Sequence, residues 1–122
     1  MQYLLLIYSN EADQAQMTPE QQGQYIADYR TFTADIIASG AFKAGDALTP
    51  VATAKSVRIR NGEQVVTDGP FAETREQLGG YYLVEAATEA EAIAIAARIP
   101  TVKHGTIEVR PIMVWDQPDD QG

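Results

Sequence analysis

The stretch "VVTDGPFAETREQLGGYYLVE", Val65–Glu85, decides how this chain is read. It opens in a β-branched run, closes in the apolar run "YYLVE", and carries Asp68-Gly69-Pro70 between them. Asp accepts turn N–H bonds, Gly tolerates dihedrals closed to other residues, and Pro fixes one, so the three together break the chain. The segment therefore predicts two strands separated by a turn rather than one helix. Glu73, Arg75 and Glu76 make the connection beyond the break a charged loop.

Upstream, "KSVRIRNGEQVVTDG" reads as a hairpin: Ser56–Arg60 alternates, Asn61-Gly62 is a two-residue turn signal, and Gln64–Thr67 returns. "AFKAGDALTP" is irregular, with a short strand at Gly45–Leu48. Before it, Thr18-Pro19-Glu20-Gln21 is a helix start, with a capping hydroxyl, proline at the first position and a glutamine able to reach back. Tyr25, Tyr29, Phe32 and Ile36 then recur on one helical face, and Gly40 is the stop. The chain opens with a strand, Gln2–Tyr8, closed by Ser9-Asn10. Downstream, Gly80–Ala86 is a strand and Thr88-Glu89-Ala90-Glu91 a second capping box. Ala92, Ile95, Ala96 and Ile99 form an apolar stripe that Pro100 ends, and "GTIEVRPIMVWD" is the last strand.

The order β, α, hairpin region, β, α, β is the split βαβ pattern of ferredoxin-like folds, an α+β class with an antiparallel sheet and an extra hairpin. One domain over residues 1–116 accommodates it, leaving 117–122, "QPDDQG", as an acidic tail expected to fray. Neither helix has two apolar faces, so both must cover the same side of the sheet. In the third core strand Tyr81, Leu83 and Glu85 alternate with Tyr82, Val84 and Ala86, and both sets carry apolar atoms. The side without helices then needs a second cover, and the simplest is another copy of the chain, a homodimer packed face to face.

Composition narrows the function. The chain of 122 residues is 45% hydrophobic and 21% charged, ordinary for a globular domain. It has no cysteine, which removes disulfides, thiolate metal sites and thiol nucleophiles. A net charge of −8, from 17 acids and 9 bases, argues against nucleic acid as a partner. No run approaches the roughly 18 apolar residues of a membrane helix. "MQYLLLIYSN" lacks the basic start and small-residue cleavage site of a signal peptide, so a cytoplasmic location is expected. One histidine and unclustered carboxylates leave no metal constellation, and no cofactor motif is present.

"DGPFAETREQLGGYYLVEA", with "EAIAIAARIP" and "GTIEVRPI", resembles the YCII-related family, in particular its branch carrying the DGPF motif. The likeness runs over nearly the whole chain, from the first strand through the helix ending "ASGAF" to "EVRPI". It implies a ferredoxin-like protomer pairing into a dimeric α/β barrel. It also implies association of some members with extracytoplasmic-function sigma factors, and a likeness of others to ring-processing enzymes. One of these is a dehydrochlorinase whose His–Asp pair draws its histidine from the first helix. Here that helix, "QQGQYIADYRTFTADIIASG", has none, and His104 stands in a loop before the last strand, so the dyad does not carry over.

Each candidate residue has a structural reading beside a functional one. Asp68-Gly69-Pro70-Phe71 is either a turn with Phe71 plugging the core, or a strand end that aims Asp68 into a cavity as general base. Glu73 and Glu76 are either a solvated loop edge or a lid over a ligand. Arg58 and Arg60 share a strand face, and Arg110 is mid-strand; these pair with acids such as Asp68 or Glu108, or hold an anionic substrate. Tyr25, Tyr29, Tyr81 and Tyr82 either pack helix on sheet or donate to an aromatic or carbonyl ligand. His104 reads as a surface loop residue unless it reaches a pocket.

The expected site is a semi-open cavity between sheet and helices, lined by Tyr29, Asp68, Tyr81 and Arg110, with Arg58, Glu73 and Phe71 as further substrate contacts. Two functions fit it. One is a cofactor-free enzyme of proton transfer or elimination on a small polar or aromatic metabolite: Asp68 takes the proton, a tyrosine polarises a carbonyl, and an arginine holds a carboxylate or enolate. The other is a non-enzymatic binding or regulatory module, acting beside a sigma factor, whose pocket senses a metabolite.

Overall fold

A computed structural model describes residues 1–115; the acidic segment 117–122 lies outside the described residues. Elements follow in the order β1 (Gln2–Ser9), α1 (Glu11–Gln14), α2 (Pro19–Ala38), β2 (Phe42–Ala47), β3 (Lys55–Arg60), β4 (Glu63–Asp68), β5 (Gln77–Glu85), α3 (Glu89–Ala96) and β6 (Thr106–Pro111). Short 3₁₀ turns, Val51–Thr53 and Pro100–Lys103, punctuate the loops.

The main sheet runs β2-β5-β1-β6, with every neighbouring pair antiparallel. Apart from the separate ribbon β3–β4, this is the ferredoxin-like βαββαβ topology that the alternation of strand and helix patterns predicts. Burial along β1 alternates strictly, so Tyr3, Leu5, Ile7 and Ser9 face the helices. Across the ladder they meet Val84, Tyr82 and Gly80 of β5. Phe32 and Ile36 of α2, and Ala92, Ala96 and Ile99 from α3 and its end, close the core over them. Leu5, Ile36, Val84 and Ile99 are essentially inaccessible to water, each contributing about 1.5–3 kcal/mol of burial.

Local chemistry sets the boundaries. Thr18 caps α2 through a reciprocal box: its hydroxyl accepts from Gln21 N at 3.1 Å, and Gln21 Oε1 accepts from Thr18 N at 2.9 Å. At α3, Thr88 accepts from Glu91 N, whereas the Glu91 carboxylate reaches Ala87 N rather than the cap's own N–H. Asn10, expected only to close a turn, caps the one-turn helix α1 by accepting from Asp13 N at 2.9 Å. β6 stops at Pro111, so Ile112–Trp115 are not the strand expected of them, and Asp116, the expected strand end, lies outside the described residues. Its neighbour β1 begins at Gln2, whose carbonyl accepts from Ile112 N at 2.9 Å, while the Met1 carbonyl beyond it is taken by Ala86 N. β5 starts at Gln77, earlier than Gly80, because Ser9 and Tyr8 extend far enough to pair with Gln77 and Leu78.

The other sheet face carries no helix. Leu4 lies opposite Leu83 and Leu6 opposite Tyr81, all half-buried, with Glu108, Arg110, Asp46 and Glu85 around them. The face is thus apolar at its centre and charged at its rim.

The hairpin forms as read, with Asn61 (φ 53°) and Gly62 (φ 80°) both left-handed as a type I′ turn requires. It does not join the main sheet: β3 and β4 pair only with each other.

Candidate functional site

The apolar stripe on α2 divides. Its C-terminal half, Phe32 and Ile36, is core, whereas Tyr25 and Tyr29 nearer the N-terminus are only half-buried. Here the helix rides above a floor with little side-chain bulk, because β5 contributes Gly79-Gly80 at this point. The result is a cleft of about 1100 Å³ between α2, the β1/β5 ends and β2, walled mainly by apolar groups. That is ample for a small organic ligand, since such sites run to roughly 300–1,000 Å³.

Hydroxyl groups supply much of its polarity. Tyr25, Tyr29 and Thr33 succeed each other every fourth residue on α2 and so share one face. Tyr29 Oη lies 2.6 Å from Thr101 Oγ1, to which Tyr25 Oη is also hydrogen-bonded. Thr33 Oγ1 lies 2.6 Å from Tyr82 Oη. Burial pushes the Tyr29 hydroxyl well above the usual tyrosine range, against a smaller opposite effect of its bond to Thr101. Burial raises Tyr82 likewise, partly offset by Thr33. Both phenols are therefore neutral donors at physiological pH. These five hydroxyls carry five protons and make fewer mutual links than that, so donor capacity is left for a ligand or water.

The expected site residues are dispersed. Tyr29 lines the cleft, and Tyr81 reaches its rim. By strand alternation, however, the Tyr81 phenol belongs to the helix-free face, where it donates to Asp46 Oδ2 at 2.8 Å. Arg110 shares that face and donates from Nε to Glu108 Oε2 at 3.0 Å, the internal pairing that was the plainer reading. Asp68 ends β4 with its side chain 85% exposed and ion-paired to Lys55, and it does not border the cleft. Arg58 and Glu73 are exposed away from the cleft as well. Phe71 corrects one expectation: at 80% exposure it does not plug the core, since the turn at Asp68-Gly69-Pro70 follows a ribbon standing off the body. His104 is exposed and stacks obliquely beside Tyr25, ring centroids 5.7 Å apart, in a second hollow between α2 and the Pro100–Lys103 turn.

Sequence reasoning missed Thr101, Thr33, Ser9 and the glycine floor. The spacing of Tyr25, Tyr29 and Thr33 was a visible signal for a hydroxyl-bearing helix face. Thr101 had none, because only the fold carries residue 101 to the cleft. Among the described residues no group of three or more His, Cys, Asp or Glu is placed to hold a metal ion. No helix there is long and apolar enough to cross a membrane.

Two comparisons bear on this architecture. The sequence model of the YCII-related domain family matches residues 1–116. A protein of Rhizobium meliloti (strain 1021), described as uncharacterised, is 32% identical over 117 residues, covering 94% of each chain.

Proposed function

The chain belongs to the YCII-related domain family, and from that premise we propose that it is a small-molecule-binding module whose α2–sheet cleft takes a compact, largely apolar compound through a carbonyl-type oxygen. The supporting observation is a cluster of hydroxyls with donor capacity left over in an apolar cavity. Buried neutral phenols donate well to a ligand oxygen and repel no electron-rich ring, whereas a full charge there would carry a large desolvation cost. The protein works as a homodimer, with the apolar centre of the helix-free sheet face, Leu4, Leu6 and Leu83, as the support for that assembly.

A second reading, cofactor-free proton transfer or elimination in the same cleft, keeps Tyr29 as the group that polarises a carbonyl. It needs a base. Asp68 is solvated and distant from the cleft, and Asp46 borders the cleft but holds its carboxylate against Tyr81 on the helix-free face, so neither supplies it.

A test follows from the hydroxyl count. Quinones, aromatic ketones and small aromatic acids are screened by thermal shift and calorimetry, beside hydrocarbons of equal size. Oxygen-bearing compounds raise the melting temperature, and Tyr29→Phe weakens them by about tenfold, the worth of one hydrogen bond. Stabilisation by the hydrocarbons alone, or equal affinity in Tyr29→Phe, contradicts the binding mode. Consumption of a bound compound by wild type transfers the case to the enzyme reading.

A further inference from the structure

The ribbon β3–β4 is the part of the fold with least reason to be ordered by itself. Every residue from Val57 to Asp68 is exposed, and neither outer edge of the ribbon is paired. Its ties beyond its own ladder are at the base, where Gly69 N donates to Ala54 O at 2.7 Å and Ser56 Oγ to Gly69 O at 2.9 Å. A two-stranded ribbon in water is marginally stable at best, and open strand edges invite pairing. One of its faces is apolar as well: Val57 lies opposite Val66, with Ile59 beside them, at 62%, 51% and 60% exposure.

We propose that this ribbon is an arm that seats its Val57/Ile59/Val66 face on the helix-free sheet face of a second copy of the chain, each copy reciprocating. The second copy is chosen on two grounds. First, that sheet face is the matching uncovered surface, with Leu4, Leu6 and Leu83 at its centre, and reciprocal exchange closes a two-fold dimer without leaving an arm free. Second, the charges suit. The segment Lys55–Asp68 holds Lys55, Arg58 and Arg60 against Glu63 and Asp68, so it is net positive by one, while the rest of the chain is net negative by nine. A positive arm lowers the repulsion between two acidic bodies, and it is a poor match for another basic surface. Nucleic acid fits worse, since the acidic body would accompany the arm to the phosphates. Arg58 and Arg60 lie on the ribbon's outward face, where they remain solvated.

The proposal rests on the homodimer and adds the arm to it. Sedimentation of the full chain over a micromolar range measures the dimer, and Val57→Asp with Ile59→Asp should raise its dissociation constant at least tenfold. Both positions are exposed, so circular dichroism and the melting temperature of the monomer stay close to wild type; a variant that unfolds is replaced by Val66→Lys alone. The absence of cysteine permits a second measurement: Gln64→Cys carrying a benzophenone, in a mixture of isotopically light and heavy protein. Photolysis should produce cross-links between chains, mapping to β1, β5 or β6. A wild-type monomer overturns both the dimer and the arm. A dimer indifferent to the arm substitutions, with cross-links confined within one chain, overturns the arm alone.

Discussion

Tyr29 and Thr101 are 72 residues apart in sequence, yet their hydroxyl oxygens lie 2.6 Å apart at the inner end of the cleft. The contact joins the middle of α2 to the turn that follows α3, so it reports directly on how the two helices close on the sheet. Thr101 is 1% exposed and serves Tyr25 as well, which makes one threonine the hub of three hydroxyls.

Replacing that hub by Thr101→Val keeps the shape and removes the polar partner. Tyr25 and Tyr29 then lose a shared bond in a half-buried setting, a cost of about 1–3 kcal/mol. Urea denaturation should show a lower midpoint with unchanged slope. A midpoint within error of wild type would mean that water replaces Thr101 without loss.

Alkaline pH acts on the same residues. The folded chain raises the pKa of Tyr29 and Tyr82, chiefly by burial, so it favours their neutral form. The stability linked to them is present below the unfolded tyrosine pKa of about 10 and is lost as pH rises through that value towards the folded ones. Denaturation midpoints should therefore fall progressively as pH rises above about 10. Tyr29→Phe should blunt the fall, and an equally steep decline in the variant would remove Tyr29 as its source.

Asp68 tests whether the end of the hairpin has any place in the site. Its pair with Lys55 joins side chains that are 61% and 85% exposed, so Asp68→Asn should change stability by no more than about 0.5 kcal/mol. Cleft affinity should stay within about twofold of wild type, a difference of only about 0.4 kcal/mol. A large loss of affinity or turnover would instead assign the hairpin's end a place in the site, supplied by its own chain or by a second copy.

Much of the architecture was legible because its signals are local. The box at Thr18-Gln21, the Asn61-Gly62 turn and the two stripes at helical spacing each depend on residues within one or two turns of each other. These fixed the order of elements and therefore the ferredoxin-like class. The site was legible only in pieces. Tyr29 was read as a phenol donor, but grouping it with Asp68 and Arg110 assumed that strand ends converge on one cavity.

Sequence alone determined the order of the main strands and helices, the apolar stripe of each long element, and that the chain lacks thiol chemistry and carries a net negative charge. Periodicity and turn chemistry act over a few residues, where no knowledge of the fold is needed. Tertiary structure alone decided that β3–β4 leaves the sheet, that Arg110 and the Tyr81 phenol face away from α2, and that Thr101 meets Tyr29. Those outcomes depend on register and on contacts far apart along the chain, and a one-residue shift in a strand would have reversed the facing of every side chain on it.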